Sequence, residues 1–166
     1  MPSKDDIVRN RFAAYAGRRS FLARRFLGSG KDGVVHEVES NDFPAFLAVK
    51  TFHRAEQFRR ERDVYVRLRE ERVWQIEGHN IPQLVGYDDE LMTIEMTMVT
   101  APFILDFADA WLDEAPEFSE EVWADWNRKV EEDFEQRAGE VRRLLEVLRL
   151  HGVILLDVHP GNIRFK

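Results

Sequence analysis

An acidic side chain and an amide side chain stand five positions apart near the end of the sequence, on a turn between two apolar runs. Asp157 and Asn162 flank the sequence Val-His-Pro-Gly, and this loop lies between the apolar run 153–156 and the segment 163–165, in which Ile163 and Phe165 are apolar. A carboxylate held on such a loop can accept a proton from a hydroxyl group, and an amide oxygen beside it can bind Mg²⁺. A simple Pro-Gly turn between two short strands explains the same residues without chemistry. The stretch alone leaves both interpretations open.

A glycine-rich segment near the start of the chain has the spacing G-x-G-x-x-G-x-V, with its glycines at Gly28, Gly30 and Gly33. The residues that follow alternate and are β-branched, so the segment is predicted to join two antiparallel strands over 21–27 and 34–38 and not to lead into a helix. Backbone without side chains lets phosphate groups approach closely. The alternative is a glycine-rich hairpin that binds no ligand.

The apolar run 46–50 predicts a third strand that ends at Lys50, 22 positions after Gly28. A cation at the end of a buried run needs an anion, and this distance along the chain suits a lysine that reaches phosphates beneath the glycine loop. A strand-end lysine that extends into water is the competing interpretation.

A carboxylate lies on the apolar face of the helix predicted over 54–71. Glu61 stands at helical spacing from the apolar residues of that face, which are Phe58, Val64, Tyr65 and Leu68. An unpaired buried carboxylate is costly, so we expect Glu61 to pair with Lys50. Pairing with Arg60 or Arg62 is an alternative, although adjacent positions on a helix do not face each other.

The other elements are predicted from periodicity and capping. A helix over 4–17 begins after Ser3, strands cover 81–87 and 91–96, a linker covers 97–102 and a short helix covers 103–112. Ser119 caps one long helix that is bent at Gly139, and its Trp and Leu stripe is expected to lie in the core.

Composition excludes several classes of protein. The 166 residues include no cysteine, which rules out disulfides and thiolate metal sites, and no apolar run approaches the ~20 residues of a membrane span. We therefore expect a cytoplasmic protein with no membrane partner. The net charge is −7 but residues 1–31 are basic, a pattern that a solvated helix face explains, so nucleic-acid binding is not expected.

Taken together, these motifs follow the order of the protein-kinase-like fold, which residues 21–165 resemble. The resemblance implies an α+β fold with a five-stranded antiparallel N-terminal lobe that contains one helix and a reduced helical C-terminal lobe. In this sequence the N-terminal lobe is 1–96, the hinge is 97–102, and the C-terminal lobe with the catalytic loop is 103–166.

The resemblance also implies ATP and Mg²⁺ as cofactors and assigns roles to residues. Asp157 is the catalytic base, Lys50 holds the phosphates with Glu61 as its partner, and Asn162 binds the metal. The nucleotide-binding positions are Gly28, Ser29, Gly30, Gly33, Val35, Ala48, Lys50, Glu95, Thr97 and Met98, where the backbone from Glu95 to Met98 takes the adenine.

Two departures from the family pattern give two functional expectations. Leu155 and Leu156 replace the His-Arg of protein kinases, and His-Pro-Gly-Asn is more similar to the aminoglycoside phosphotransferases and other bacterial kinase-like proteins. The sequence ends at Lys166, before the position of the metal-binding Asp-Phe-Gly motif, so Asp32 or a second chain would complete the metal site. The first expectation is a phosphotransferase that acts on a protein or small-molecule hydroxyl. The second is a weakly active or inactive pseudokinase-like module that binds ATP with little dependence on Mg²⁺.

Overall fold

A computed structural model describes residues 1–166, which divide into two compact units. The first unit comprises 1–62 and 82–98, and the second comprises 63–81 and 99–166. Residues 63–81, which the sequence assigns to the N-terminal lobe, thus belong to the second unit. The elements in chain order are α1 (Lys4–Arg19), β1 (Leu22–Ser29), β2 (Gly33–Glu39), β3 (Leu47–Phe52), α2 (Ala55–Glu70), β4 (Gln75–Ile76), β5 (His79–Asn80), β6 (Leu84–Asp88), β7 (Thr93–Thr97), β8 (Phe103–Ile104), β9 (Trp111–Leu112), α3 (Glu120–Phe134), α4 (Ala138–Leu150), β10 (Val153–Ile154) and β11 (Ile163–Arg164).

The first unit is built on a five-stranded antiparallel sheet with the strand order β1-β2-β3-β7-β6. β-Branched residues in β2 and a continuously buried run in β3 favour extended backbone at the centre of a sheet. The predicted five-stranded antiparallel sheet is confirmed. Two strand starts differ from the prediction, because β6 begins at Leu84 and β7 begins at Thr93.

Helix α1 covers one face of this sheet. A buried cluster joins the helix to the strands and consists of Phe12, Tyr15, Val38, Leu47 and Val49. Because side chains of a strand alternate between its two faces, the neighbouring residues of β3 point to the opposite side. We call the covered side the α1 face.

The ends of α1 follow from local hydrogen bonds. The Ser3 side chain accepts the backbone N–H of Asp6, while the Asp6 carboxylate accepts the backbone N–H of Ser3, which forms a capping box. The predicted helix is confirmed, but it continues past Gly17 to Arg19. Ser20 ends it in the left-handed conformation, with φ of 55°.

The face of the sheet opposite the α1 face carries the side chains of Val35, Ala48 and Lys50. The register places Val35 directly opposite Lys50, and Ala48 lies two residues before Lys50 on the same strand. We call this side the lysine face. The first turns of α2, up to Arg62, belong to the same unit.

Helix α2 matches its prediction closely, since it spans Ala55–Glu70. Its apolar residues Phe58, Val64, Tyr65 and Leu68 are all buried. The spacing that identified the apolar face of this helix therefore describes it correctly.

The second unit contains short strands where a helix was predicted. Residues 103–112 do not form a helix, because Phe103 and Ile104 pair with β11 on one side and Asn80 of β5 on the other. The resulting sheet has the order β11-β8-β5-β4, and β9 pairs with β10. Asp106 has φ of 64°, which no α-helix accommodates. Tertiary pairing overrides the local helical pattern here.

The long helix predicted after Ser119 is two helices. α3 ends at Phe134 and α4 begins at Ala138, with a 3₁₀ turn between them. Glu135 has φ of 48° and ψ of −117°, so the chain breaks before Gly139, which lies inside α4. From Val130 onward the residues of the apolar stripe are buried except for Leu145, which is half-buried, whereas Val122 is 45% exposed. The expectation of a continuous buried stripe was therefore wrong at its start.

Candidate functional site

Lys50 and Glu61 form the predicted ion pair on the lysine face. Lys50 Nζ lies 2.6 Å from Glu61 Oε2, and the two side chains are only 9% and 1% exposed. The ammonium also lies 4.8 Å from the centre of the Phe52 ring. Glu61 therefore has Lys50 as a partner, and the alternative in which Lys50 extends into water is wrong.

The glycine loop closes the hairpin between β1 and β2. The Gly30 N–H donates to the Gly33 carbonyl oxygen over 2.9 Å. A Cβ atom at Gly33 would lie 2.3 Å from the Thr51 carbonyl oxygen, so this glycine is required by the close approach of β2 to β3. Cβ atoms at Gly28 and Gly30 would contact nothing within 4 Å.

Packing explains why glycine is needed at Gly33, but it does not explain Gly28 and Gly30. Neither Gly28 nor Gly30 has a positive φ, so neither the backbone conformation nor the neighbouring atoms require glycine there. Ser29 ends β1 and is exposed. The loop thus leaves free space beside the backbone at Gly28 and Gly30, which are two of the three glycines that the sequence predicts to contact phosphate.

Asp32 is buried within the same loop. It is 4% exposed, and its Oδ1 lies 3.8 Å from an Arg54 guanidinium nitrogen, while its backbone carbonyl accepts the N–H of His53. The proposed replacement metal ligand is therefore engaged with a cation of its own unit.

The side chain of Glu95 lies on the α1 face and not on the lysine face. Glu95 stands directly opposite Val49 and is fully buried. Its carboxylate accepts hydrogen bonds from Tyr15 at 2.7 Å and from Arg19 at 3.1 and 3.3 Å. Burial and the hydrogen bond to Glu95 raise the pKa of Tyr15 well above its usual range. The Glu95 side chain thus fastens α1 to the sheet.

The backbone around the predicted hinge is partly used by the sheet. Glu95 pairs with strands on both sides, and the Thr97 N–H donates to the Gln83 carbonyl oxygen. Met98 follows β7 and is 37% exposed. Among the predicted adenine contacts, Met98 is the residue beyond the strand.

The second unit holds Asp157 and Asn162 on a loop between β10 and β11. Asn162 is buried, and its Nδ2 donates to the Asp157 backbone carbonyl oxygen over 2.9 Å. The amide oxygen Oδ1 remains as the atom that can bind a cation, and oxygen ligands of this kind suit Mg²⁺. The Asp157 side chain is 26% exposed. No group of three or more His, Asp or Glu side chains in the chain is arranged to hold a metal ion.

His159 is a member of this loop that the sequence reasoning did not single out. Its ring nitrogen Nδ1 accepts the Gly161 N–H at 3.0 Å, and its Nε2 lies 3.7 Å from Asp157 Oδ1. The available signal was the position of a histidine between the candidate base and the turn glycine.

A cavity of about 650 Å³ lies within the second unit. Its wall includes Trp123 and Trp126 of α3 and Leu155 and Leu156, which immediately precede Asp157. The Trp126 indole N–H donates to the Leu156 carbonyl oxygen over 2.8 Å, which ties α3 to this segment. The cavity therefore borders the chain segment that leads into the loop.

Searches for relatives give no family assignment, since no protein-family model matches the chain and no curated protein is significantly similar to it. None of the helices has both the length and the apolar character needed to cross a membrane.

Proposed function

We propose that this protein binds ATP and transfers its γ-phosphoryl group to a hydroxyl group of a protein or a small molecule. The observation that carries the proposal is the buried Lys50–Glu61 pair, which stands beside a hairpin whose Gly28 and Gly30 have no structural need to be glycine. A fixed ammonium next to backbone that carries no side chains is suited to polyphosphate, because phosphate oxygens can approach such backbone closely.

Several residues of the first unit have separate roles in the proposed binding of the nucleotide. Glu61 fixes the position of the Lys50 ammonium, which neutralises phosphate charge. Gly28 and Gly30 let phosphate oxygens approach the backbone, Val35 and Ala48 offer an apolar surface on the lysine face, and the backbone near Met98 takes the adenine.

Asp157 of the second unit has the role of general base in this proposal. The acceptor hydroxyl oxygen forms a bond to the γ-phosphorus as the bond from that phosphorus to the ADP oxygen breaks, and the hydroxyl proton passes to the Asp157 carboxylate. Mg²⁺ would neutralise charge on the phosphoryl oxygens, and Asn162 Oδ1 would hold it. The cavity at Trp123 and Leu156 would hold the part of the acceptor that does not react.

Nucleotide binding is tested by thermal unfolding with ATP and Mg²⁺. ATP at about 100 times its Kd should add roughly 2.7 kcal/mol to the free energy of unfolding, which raises Tm by several degrees. Lys50→Met should remove most of this increase, whereas the exposed Lys129→Met serves as a matched control and should keep it. Absence of a shift with millimolar ATP in the wild-type protein would contradict the proposal.

Phosphoryl transfer is tested with a panel of protein and small-molecule acceptors. Asp157→Asn preserves the shape of the side chain but removes the base, so turnover should fall by roughly 10²-fold or more. The exposed Asp133→Asn is the matched control and should leave turnover at the wild-type rate. Equal rates for Asp157→Asn and wild type would exclude Asp157 as the base.

A second candidate function is a nucleotide-binding module without turnover. The hydrogen bond from Asn162 Nδ2 to the Asp157 carbonyl oxygen explains the burial of Asn162 without any metal. A clear ATP-dependent rise in Tm together with no labelled product on any acceptor would favour this module over the enzyme.

A further inference from the structure

His159 contributes both its backbone and its ring to the loop that carries Asp157. Its carbonyl oxygen accepts the N–H groups of Asn162 at 2.9 Å and Ile163 at 3.0 Å, and its ring Nδ1 accepts the N–H of Gly161 at 3.0 Å. A Cβ atom at Gly161 would lie 2.7 Å from His159 Cε1. The ring therefore lies directly against the turn, and a side chain at position 161 would displace it.

The hydrogen bond from Gly161 fixes the tautomer of the ring. A backbone N–H can only donate, so Nδ1 must carry a lone pair and not a proton. A neutral imidazole has one N–H, which must then be at Nε2. The loop geometry thus selects the Nε2–H form of His159.

This N–H faces the candidate base. Nε2 lies 3.7 Å from Asp157 Oδ1, which is longer than a direct hydrogen bond, and catalytic contacts of this kind commonly shorten when the substrate is bound. The backbone of Asp157 is held separately, through the hydrogen bond from Asn162 to its carbonyl oxygen. Asn162 and His159 therefore act on different parts of the same residue.

We infer that His159 is a positioning residue, which turns the Asp157 carboxylate through its Nε2–H while Nδ1 closes the loop. The inference rests on the proposed function for its catalytic consequence, but the contact itself is a property of the loop. It assigns separate tasks to the two ring nitrogens, and these tasks can be separated by substitution.

Two variants of His159 each keep one of these two interactions and remove the other. In His159→Asn the side-chain oxygen can occupy the place of Nδ1 and accept the Gly161 N–H, but nothing reaches Asp157. In His159→Gln the longer side chain can place an N–H where Nε2 lies, but the bond from Gly161 is lost. We expect His159→Asn to keep the wild-type Tm and to lower kcat by about tenfold with an unchanged KM for ATP.

We expect the opposite pattern for His159→Gln, in which Tm falls while kcat stays within a few-fold of wild type. A residue that only closes the loop gives another result, since both Tm and kcat would then fall in His159→Gln and stay at the wild-type value in His159→Asn. That result would overturn the inference.

NMR spectroscopy tests the contact between His159 and Asp157 without an activity assay. In ¹⁵N-labelled protein at neutral pH, His159 should show an unprotonated Nδ1 and a protonated Nε2, and Asp157→Asn should shift the Nε2 resonance. The Nδ1–H tautomer, or an Nε2 resonance that ignores Asp157→Asn, would overturn the inference. If both resonances behave as expected but no acceptor is phosphorylated, the contact stands and the proposed phosphotransfer fails.

Discussion

Each face of the five-stranded sheet buries a charged side chain and pairs it with a helix, but the two pairs are built differently. On the α1 face, fully buried Glu95 binds Tyr15 and Arg19, and the Arg19 side chain is 44% exposed. On the lysine face, Lys50 and Glu61 are 9% and 1% exposed. Water can therefore solvate the cation of the first pair if its partner is lost, whereas both members of the second pair are enclosed.

This difference shows what a buried carboxylate indicates. Both Glu95 and Glu61 are buried and paired, so burial predicts a partner and not a ligand. The lysine face is distinguished by the open glycines beside it, Gly28 and Gly30, which the α1 face lacks. A functional assignment of Glu61 thus depends on the loop near it more than on its own burial.

The largest effect should come from separating the enclosed pair. Lys50→Met and Glu61→Leu each remove one member of the pair and leave the opposite charge buried, so each should lower the free energy of unfolding by about 3 kcal/mol. The double variant should lose much less than the sum, because it leaves no unpaired charge. Urea unfolding of the four proteins measures the coupling, and additive losses would show that the two charges do not interact.

The glycines should separate stability from ATP binding. Gly33→Ala forces a methyl group against the Thr51 carbonyl oxygen and should lower the free energy of unfolding by about 2 kcal/mol. Gly28→Ala and Gly30→Ala meet no atoms and should match or slightly exceed wild-type stability. Their ATP-dependent rise in Tm should shrink nonetheless. A full rise in both variants would remove the feature that distinguishes the lysine face.

The α1 face should respond to substitution in stability alone. Glu95→Gln keeps the shape of the side chain but weakens its bond to Arg19, so the free energy of unfolding should fall by about 1 kcal/mol. The ATP-dependent rise in Tm should remain, because the side chain points away from the lysine face. Its disappearance in this variant would show that the two faces are not functionally distinct.

The smallest effect concerns acid stability of the α1 face. The His36 ring stacks on Phe12 with their centres 4.0 Å apart, and burial lowers the pKa of His36 from its ordinary value of 6.5. The unfolded chain therefore binds the proton more readily, and the free energy of unfolding should fall as the pH drops below about 6.5. His36→Gln should flatten this part of the curve of Tm against pH. Parallel curves for the two proteins would contradict the assignment.

Local patterns in the sequence were sufficient where neighbouring residues decide the structure. The glycine hairpin, the helix α2 and the Lys50–Glu61 pair follow from spacing and from the cost of an unpaired buried charge. The role of Gly33 was assigned to phosphate, whereas its packing against Thr51 depends on a strand that lies far along the chain. Sequence spacing identifies the glycine but not the atom that requires it.

Other features depend on partners that no local pattern reveals. Residues 103–112 have helical periodicity, but their backbone pairs with strands from distant parts of the chain. The break at Glu135 rests on one residue with positive φ that carries no glycine signal. The tautomer of His159 depends on a hydrogen bond within the loop, which only the folded geometry shows.

The strand order of the first unit has a consequence for folding. β7 lies between β3 and β6 in the sheet, yet residues 53–92 separate it from β3 along the chain. During synthesis β1, β2 and β3 emerge one after another, and one edge of β3 stays unpaired until β7 has been made. Closing the long loop between β3 and β7 carries an entropic cost. During refolding, the backbone amide protons in hydrogen bonds between β1 and β2 should therefore be protected from exchange with solvent earlier than those in hydrogen bonds between β3 and β7.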